Sequence, residues 1–435
     1  MKINRLSFTQ HCFTKIFCIF NQPSRTDDRH LYYRNDDFIF TSKIYSHNWR
    51  TDNPEQAEVF IIPTLLGWYC SNYHKGVMNK RIFCTGNDFY NYSINPKIPV
   101  EKVVDNTVTF LTEDPRSQIH SRNFKPHVMV ASHCAVLQHY DQCLVKHKNM
   151  RKLLNQKVTF FTYESSIRRH YDRNENQLDT FTLKTPRFRC ILPVPYVDWP
   201  FLSYQKLENN GFLSFENWKN RPIDFFFIGK MHKRKTGNGK NNKNQVPPSY
   251  MTRKIIFDQF KFELNKTFIL AERQVENFSD WPFCDQTSCL STFRCTKCKF
   301  RDRPNLQLNY KTLGIQSKFS LIIHGDTSST SRLYDAITNG QIPIFISPNI
   351  YFDSLPFANK INWLDLGYFV PIYSGDVVNV NQIFEMIVGF ANLPDYMHKM
   401  RFEKLLEHRR DLSWLHPRSA VIENILFDAV KSCRI

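Results

Sequence analysis

Nine short, mostly apolar segments, each followed by polar, small or proline-containing residues, set the strongest limit on how this chain can fold. In order they are "KIFCIF" (15–20), "EVFIIP" (58–63), "HVMVAS" (127–132), "VTFFTYE" (158–164), "CILPVPYV" (190–197), "IDFFFIG" (223–229), "KTFIL" (266–270), "FSLIIHG" (319–325) and "IPIFIS" (342–347). Alternation of apolar and polar residues, the mark of a half-solvated strand, is missing from them. Runs of this kind suit strands buried on both faces, as in parallel sheets. Helical patterns lie between some of them, at 134–155 and 250–264. Alternating strands and helices in two sets predict an α/β protein with two doubly wound, Rossmann-like halves. The least patterned junction is 204–222, which places the boundary between a domain at 1–215 and another at 216–435.

The segment "SKFSLIIHGDTSSTSRLYDAITNGQIPIFIS" (317–347) carries the clearest chemistry. It reads as strand, small polar loop, short helix, glycine, strand. Leu333, Ala336 and Ile337 form an apolar stripe, and Ser328, Arg332, Asp335 and Asn339 recur on the opposite side. Gly340 is placed to end the helix in a left-handed conformation. A loop at the carboxyl end of a parallel strand is where open α/β sheets bind ligands. The helix N-terminus offers N–H groups to an anion, and Arg332 can add a bidentate phosphate contact. Asp335, one turn on, can accept from vicinal hydroxyls. Together they point to a nucleoside diphosphate. The plainer alternative is a structural Arg–Asp pair at i,i+3. Neither a Walker loop nor a G-x-G-x-x-G fingerprint is present.

A formal net charge of +18 makes anionic partners plausible, and lysine-rich 229–249 is either a surface loop or a basic flap over such a ligand. No aromatic-rich or helix-turn-helix motif supports nucleic-acid binding. Cys284, Cys289, Cys295 and Cys298 crowd together at irregular spacing, open to two disulfides or to zinc. With the sequons at Asn91, Asn265 and Asn277 they favour a secretory lumen. No run of 18 apolar residues occurs, and the apolar run 16–20 is short for a signal peptide. The expectation is a soluble chain or one lacking its anchor.

At these residues the chain resembles the exostosin family, glycosyltransferase family 47. The resemblance rests on Ser317, Lys318, Phe319, Leu321, Gly325, Asp326, Ser329, Arg332, Leu333, Asp335, Ala336, Ile337, Gly340, Ile342 and Pro343, and on "SLPFANKINW" (354–363). Further matches are "RTDNPEQAEVFIIP" (50–63), "HVMVASH" (127–133), "CILPVPYV", and "IDFFFIG" followed by Arg253. His324, Ile323, Ser320, Gln341 and Pro126 depart from the family pattern. The resemblance implies a GT-B fold, donor in the C-terminal half and acceptor in the N-terminal half. It implies inverting transfer from a nucleotide sugar, commonly UDP-linked, to a glycan acceptor, in the Golgi. Donor-site residues are then Gly229, Arg253, Gly325, Asp326, Ser329, Ser331, Arg332 and Asp335.

Departure of a diphosphate needs its charge stabilised, by a metal on an Asp-x-Asp motif or by a helix N-terminus with basic side chains. No Asp-x-Asp occurs in the sequence, so transfer without a metal or other cofactor is expected. An inverting reaction also needs a base for the acceptor hydroxyl. His133 and Glu164, each following a predicted strand, are the candidates. The alternative to an active enzyme is a catalytically weak carbohydrate- or nucleotide-binding partner of an active homologue, within a homo- or hetero-oligomer of related transferases. A polyanion-binding protein led by the lysine-rich stretch is a third reading.

Overall fold

The computed structural model describes residues 3–5, 39–40, 43–44, 47–51, 53, 56–62, 126–130, 158–163, 190–198, 200–209, 211–229, 253, 268–272, 311, 313–323, 329–348, 355–372 and 380–432. In chain order its elements are β1 (Ile3–Arg5), β2 (Arg50–Thr51), β3 (Val59–Ile61), β4 (His127–Val130), β5 (Val158–Thr162), β6 (Cys190–Pro193), α1 (Tyr204–Asn209) and α2 (Phe215–Lys219). There follow β7 (Ile223–Gly229), β8 (Phe268–Glu272), β9 (Ser317–Ile323), α3 (Ser331–Thr338), β10 (Ile342–Pro348), a 3₁₀ turn (Trp363–Asp365), β11 (Tyr368–Ile372), α4 (Val380–Ala391), α5 (Asp395–Leu412) and α6 (Val421–Ser432). No helix among the described residues is long and apolar enough to cross a membrane.

Two compact units form. The first comprises Met1–Val197 with Asp353–Phe357 and Ala420–Ile435, the second Asp198–Phe352 with Ala358–Ser419. The first unit holds a six-stranded sheet in the order β2-β1-β3-β4-β5-β6, parallel at every pairing. Val59, Phe60, Ile61, Val128, Met129, Phe160 and Phe161 are all buried, as runs covered on both faces require. Helix α6 belongs to this unit. His47 Nε2 lies 3.2 Å from Glu423 Oε1, and His47 Nδ1 accepts the Trp49 amide at 3.2 Å, so the ring ties the start of β2 to α6.

The second unit holds a five-stranded sheet in the order β11-β10-β9-β7-β8, again all parallel. Alternate residues Phe225, Phe227, Phe319, Leu321, Ile323, Ile342, Ile344, Ile346, Tyr368 and Val370 make one face. Trp218 of α2, Ile383, Phe384 and Ile387 of α4, and Phe402 of α5 pack with it. The intervening Phe226, Ile322 and Phe345 are buried too, so the sheet is covered on both sides. Pro343, which cannot donate, precedes the β10–β11 ladder, whose first pair is Ile344 with Tyr368. Gly367 has to be a glycine, because a Cβ there would meet the Pro343 carbonyl oxygen at 2.4 Å.

The units differ from the sequence-based boundary in two ways. The division falls at Val197/Asp198, and 204–222 is not a linker: it carries α1 and α2, held by Trp218, whose indole N–H donates to the Lys318 carbonyl at 2.8 Å. The terminal helix α6 lies with the first unit. Short apolar content hid α1 and α2 from the pattern. The expected strand at 15–20 lies outside the described residues, as do the helical pattern at 134–155, the sequence 230–249 and the four clustered cysteines.

Candidate functional site

Strands β7 and β9 are neighbours, but the chain runs from β7 to β8 on one side and then crosses to β9 on the other. Taken from β7 as the first strand, the order is 2-1-3-4-5. The two crossovers part above the carboxyl ends of β7 and β9, which is the topological switch point where open α/β sheets bind ligands.

The helix that follows β9 opens towards solvent at its start. Ser331 and Arg332 are half-exposed, whereas every residue from 333 to 340 is buried. Thr330, the N-cap, is extended (φ −151°, ψ 136°) and makes no side-chain capping bond to the first turn. Its hydroxyl instead accepts from Arg332 Nη1 at 3.3 Å. The cap side chain is therefore turned to the arginine rather than to the helix N–H groups, which suits a first turn that receives an anion.

Two arginines meet at this place. The Arg332 guanidinium lies 5.0 Å from the centroid of the Phe227 ring, and that of Arg253 lies 5.6 Å from the same centroid. Arg253, 4% exposed, also donates from Nη2 to the carbonyl of Ile323, the last residue of β9, at 3.4 Å. Two positive charges thus stand at the carboxyl ends of β7 and β9, beside the first turn of α3. Such a combination attracts a diphosphate and stabilises charge that grows on a leaving phosphate.

The far end of α3 is fixed by a different device. Gly340 (φ +66°) ends the helix, with Gln341 N donating to Ala336 O at 2.9 Å and Gly340 N to Ile337 O at 3.2 Å, a Schellman arrangement. The Arg221 guanidinium, 5% exposed, donates from Nη1 to the carbonyls of Ser317 and Gly340, each at 2.8 Å, and from Nη2 to Asn339 O at 3.2 Å. Burial pulls its pKa down to about 9, so it stays charged at neutral pH against the negative end of the helix. Asn339 adds two bonds, accepting from Phe201 N and donating to Asp335 O, both at 2.7 Å. Thr338 donates to Asp198 Oδ2 at 2.8 Å, which also receives the hydroxyls of Tyr204 (2.6 Å) and Ser413 (2.7 Å). Burial, then the Asp198 charge, raises the Tyr204 pKa and keeps it a donor.

Of the residues singled out in the sequence, the structure brings Arg253, Ser329, Ser331 and Arg332 to the β9–α3 region, with Gly229 ending β7. Asp335 is 2% exposed and Asn339 wholly buried, so the polar side expected along α3 is not solvated. The sheet and the segments around Phe201 and Arg221 enclose it, which helical spacing cannot foretell. Gly325, Asp326, His133 and Glu164 lie outside the described residues. Phe227 and Arg221 escaped the sequence reading. The triple phenylalanine of "IDFFFIG" signalled only a buried strand, and Arg221 stands in no motif. In the first unit, Tyr163 after β5 stacks on Tyr196 after β6, with ring centroids 3.5 Å apart.

The crystal structure of Arabidopsis thaliana UGT89C1 complexed with UDP is similar to this chain at 12% sequence identity, over 77% of this chain and 78% of that one, with a TM-score of 0.30. Comparison with curated proteins gave no match. The family model of the Exostosin GT47 domain matches residues 15–387, which takes in all of β2 to β11 and every motif from 50 to 363 on which the resemblance was drawn. The chain therefore belongs to the exostosin GT47 family and is a glycosyltransferase.

Proposed function

We propose that the second unit binds the diphosphate of a nucleotide sugar, with UDP as the nucleotide, at the β7/β9 switch point. The observation that carries this reading is the meeting of Arg253 and Arg332 on one ring beside the first turn of α3. Two guanidinium groups and a helix N-terminus supply the positive field that a departing diphosphate needs. Ser329, Ser331 and Gly229 stand by the same strand ends, and Gly325 and Asp326 join the donor site in this reading on the strength of the family motif alone. Asp335 offers little surface to a ribose at 2% exposed, so the reading rests on the two arginines. With no Asp-x-Asp in the chain, the arginines take the part a metal plays in other transferases, and transfer proceeds without one.

The acceptor is a glycan, held by loops at the carboxyl ends of the first unit's strands. Transfer inverts the anomeric carbon, and His133, or else Glu164, removes the acceptor proton. The setting is the Golgi or another secretory lumen. Titration calorimetry with UDP tests the donor site. Arg332→Ala removes a charge-assisted phosphate contact and weakens binding by about 1.5–3 kcal/mol. A folded Arg332→Ala protein with unchanged UDP affinity would remove Arg332 from the site.

A further inference from the structure

We propose that His416 is a pH-sensitive latch on the turn through which the chain leaves the second unit: its neutral ring closes the turn, and its imidazolium opens it. The inference is independent of the donor site. Residues 413–419 end the second unit, and the chain continues at Ala420 into the part of the first unit that holds α6. Three hydrogen bonds close this stretch on itself. His416 N donates to Ser413 Oγ, Ser419 N to His416 O and Arg418 N to His416 Nδ1, each at 3.0 Å. The Ser413 hydroxyl in turn donates to Asp198 Oδ2, which also receives Thr338 at the end of α3.

The bond from Arg418 fixes the protonation of the ring. An Nδ1 that accepts from an amide carries no proton, so the proton of the neutral ring sits on Nε2, 3.1 Å from Glu208 Oε1 of α1. Both ring nitrogens are engaged, and the ring is 8% exposed. A second proton can enter only at Nδ1, where it meets the Arg418 N–H head-on, and that bond must break. Four groups face the site of the charge. Arg409 of α5 repels an imidazolium, whereas Glu208 of α1 and Asp198 ahead of α1 attract one. Tyr204 of α1 lies edge-on to the ring, with centroids 5.2 Å apart. Burial first and Arg409 second outweigh the two acids and hold the His416 pKa below 6.5. An open turn binds the proton at the ordinary pKa, so acid favours the open form, and the closed form is complete only above that pKa.

Native-state amide exchange on the full chain, read by mass spectrometry of peptides spanning 413–420 and corrected for the intrinsic rate, follows the turn at pH 7.5 and pH 5. An ordinary pKa of about 6.5 in the open form limits the loss of protection at pH 5 to about 30-fold, and a loss of about 5- to 30-fold is expected. His416→Asn keeps an acceptor for the amide two residues on, as in an Asx turn, and does not titrate, so its loss should stay within about twofold. Peptides around His398 report the separate titration of that residue and should respond alike in both proteins. Unchanged protection of 413–420 in the native chain at pH 5 would overturn the proposal. An equal loss in His416→Asn would overturn it too, because the opening would then not need the ring. If the asparagine variant does not fold, His416→Gln gives the same comparison with a longer carboxamide.

Discussion

Arg221 offers a sharp test of what holds α3 in place. Its guanidinium gives three hydrogen bonds to backbone carbonyls and lies 5.3 Å from the Phe212 ring centroid. Among the described residues no carboxylate bonds to it, and its Nε has no partner. Burial, which lowers its pKa to about 9, costs the ion several kcal/mol of hydration. Each charged bond returns about 1.5–3 kcal/mol. Gain and cost nearly cancel, so the ion stabilises little in itself. Removing it is another matter, because three buried carbonyls then lose a donor at about 1–3 kcal/mol each. Arg221→Met recovers the hydration cost, fills much of the space and should destabilise by about 2 kcal/mol. Arg221→Ala also leaves a cavity and should cost about 3–5 kcal/mol. For a unit of this size each kcal/mol lowers the melting temperature by about 2–4 °C. Differential scanning calorimetry reads the shift, and amide exchange at 339–341 locates it. The loss should be flat from pH 5 to 8, because the group is charged throughout. An Arg221→Met protein as stable as the native chain would refute the reasoning, since the carbonyls would then need no donor.

His398 is buried against Trp218, Phe319 and Tyr368, and its Nδ1 takes the Tyr368 hydroxyl at 2.8 Å. Burial lowers its pKa below 6.5 despite the pull of Asp395, so the unfolded chain binds the proton first as pH falls. Stability should therefore be full above about pH 6.5 and decline below it; His398→Gln should flatten that decline in urea titrations at pH 7 and pH 5, and parallel slopes would refute the assignment. Asp198→Ala strands the hydroxyls of Tyr204, Thr338 and Ser413 and removes one of the two acids, with Glu208, that act on the buried Arg409, which should cost about 3–5 kcal/mol by denaturant unfolding. His133→Ala should lower turnover by about 10²–10⁴-fold with UDP affinity intact if it is the base, and normal turnover would exclude it. Activity should survive excess EDTA; a complete loss restored by manganese would show that a metal stabilises the leaving group.

Much of the fold was legible in the chain because both sheets are parallel. A strand covered on both faces has no polar alternation, and eight of the described strand segments, among them "HVMV", "IDFFFIG" and "SKFSLII", announce themselves that way. Gly340 was legible for a local reason: only a residue without a Cβ takes a left-handed turn cheaply between a short helix and a strand. The motif from 317 to 343 carried the family. Elements too short for a pattern, β1 and β2, stayed hidden, as did β11 with its internal proline. What tertiary structure alone decided is which strand ends meet. The crossing from β8 back past β7 to β9 places Arg253 and Arg332, 79 residues apart by number, on one ring. It also buries Asp335 and Asn339 on a helix whose spacing suggested a wet face. Periodicity records that a side chain has a face; only the order of the strands decides what covers it.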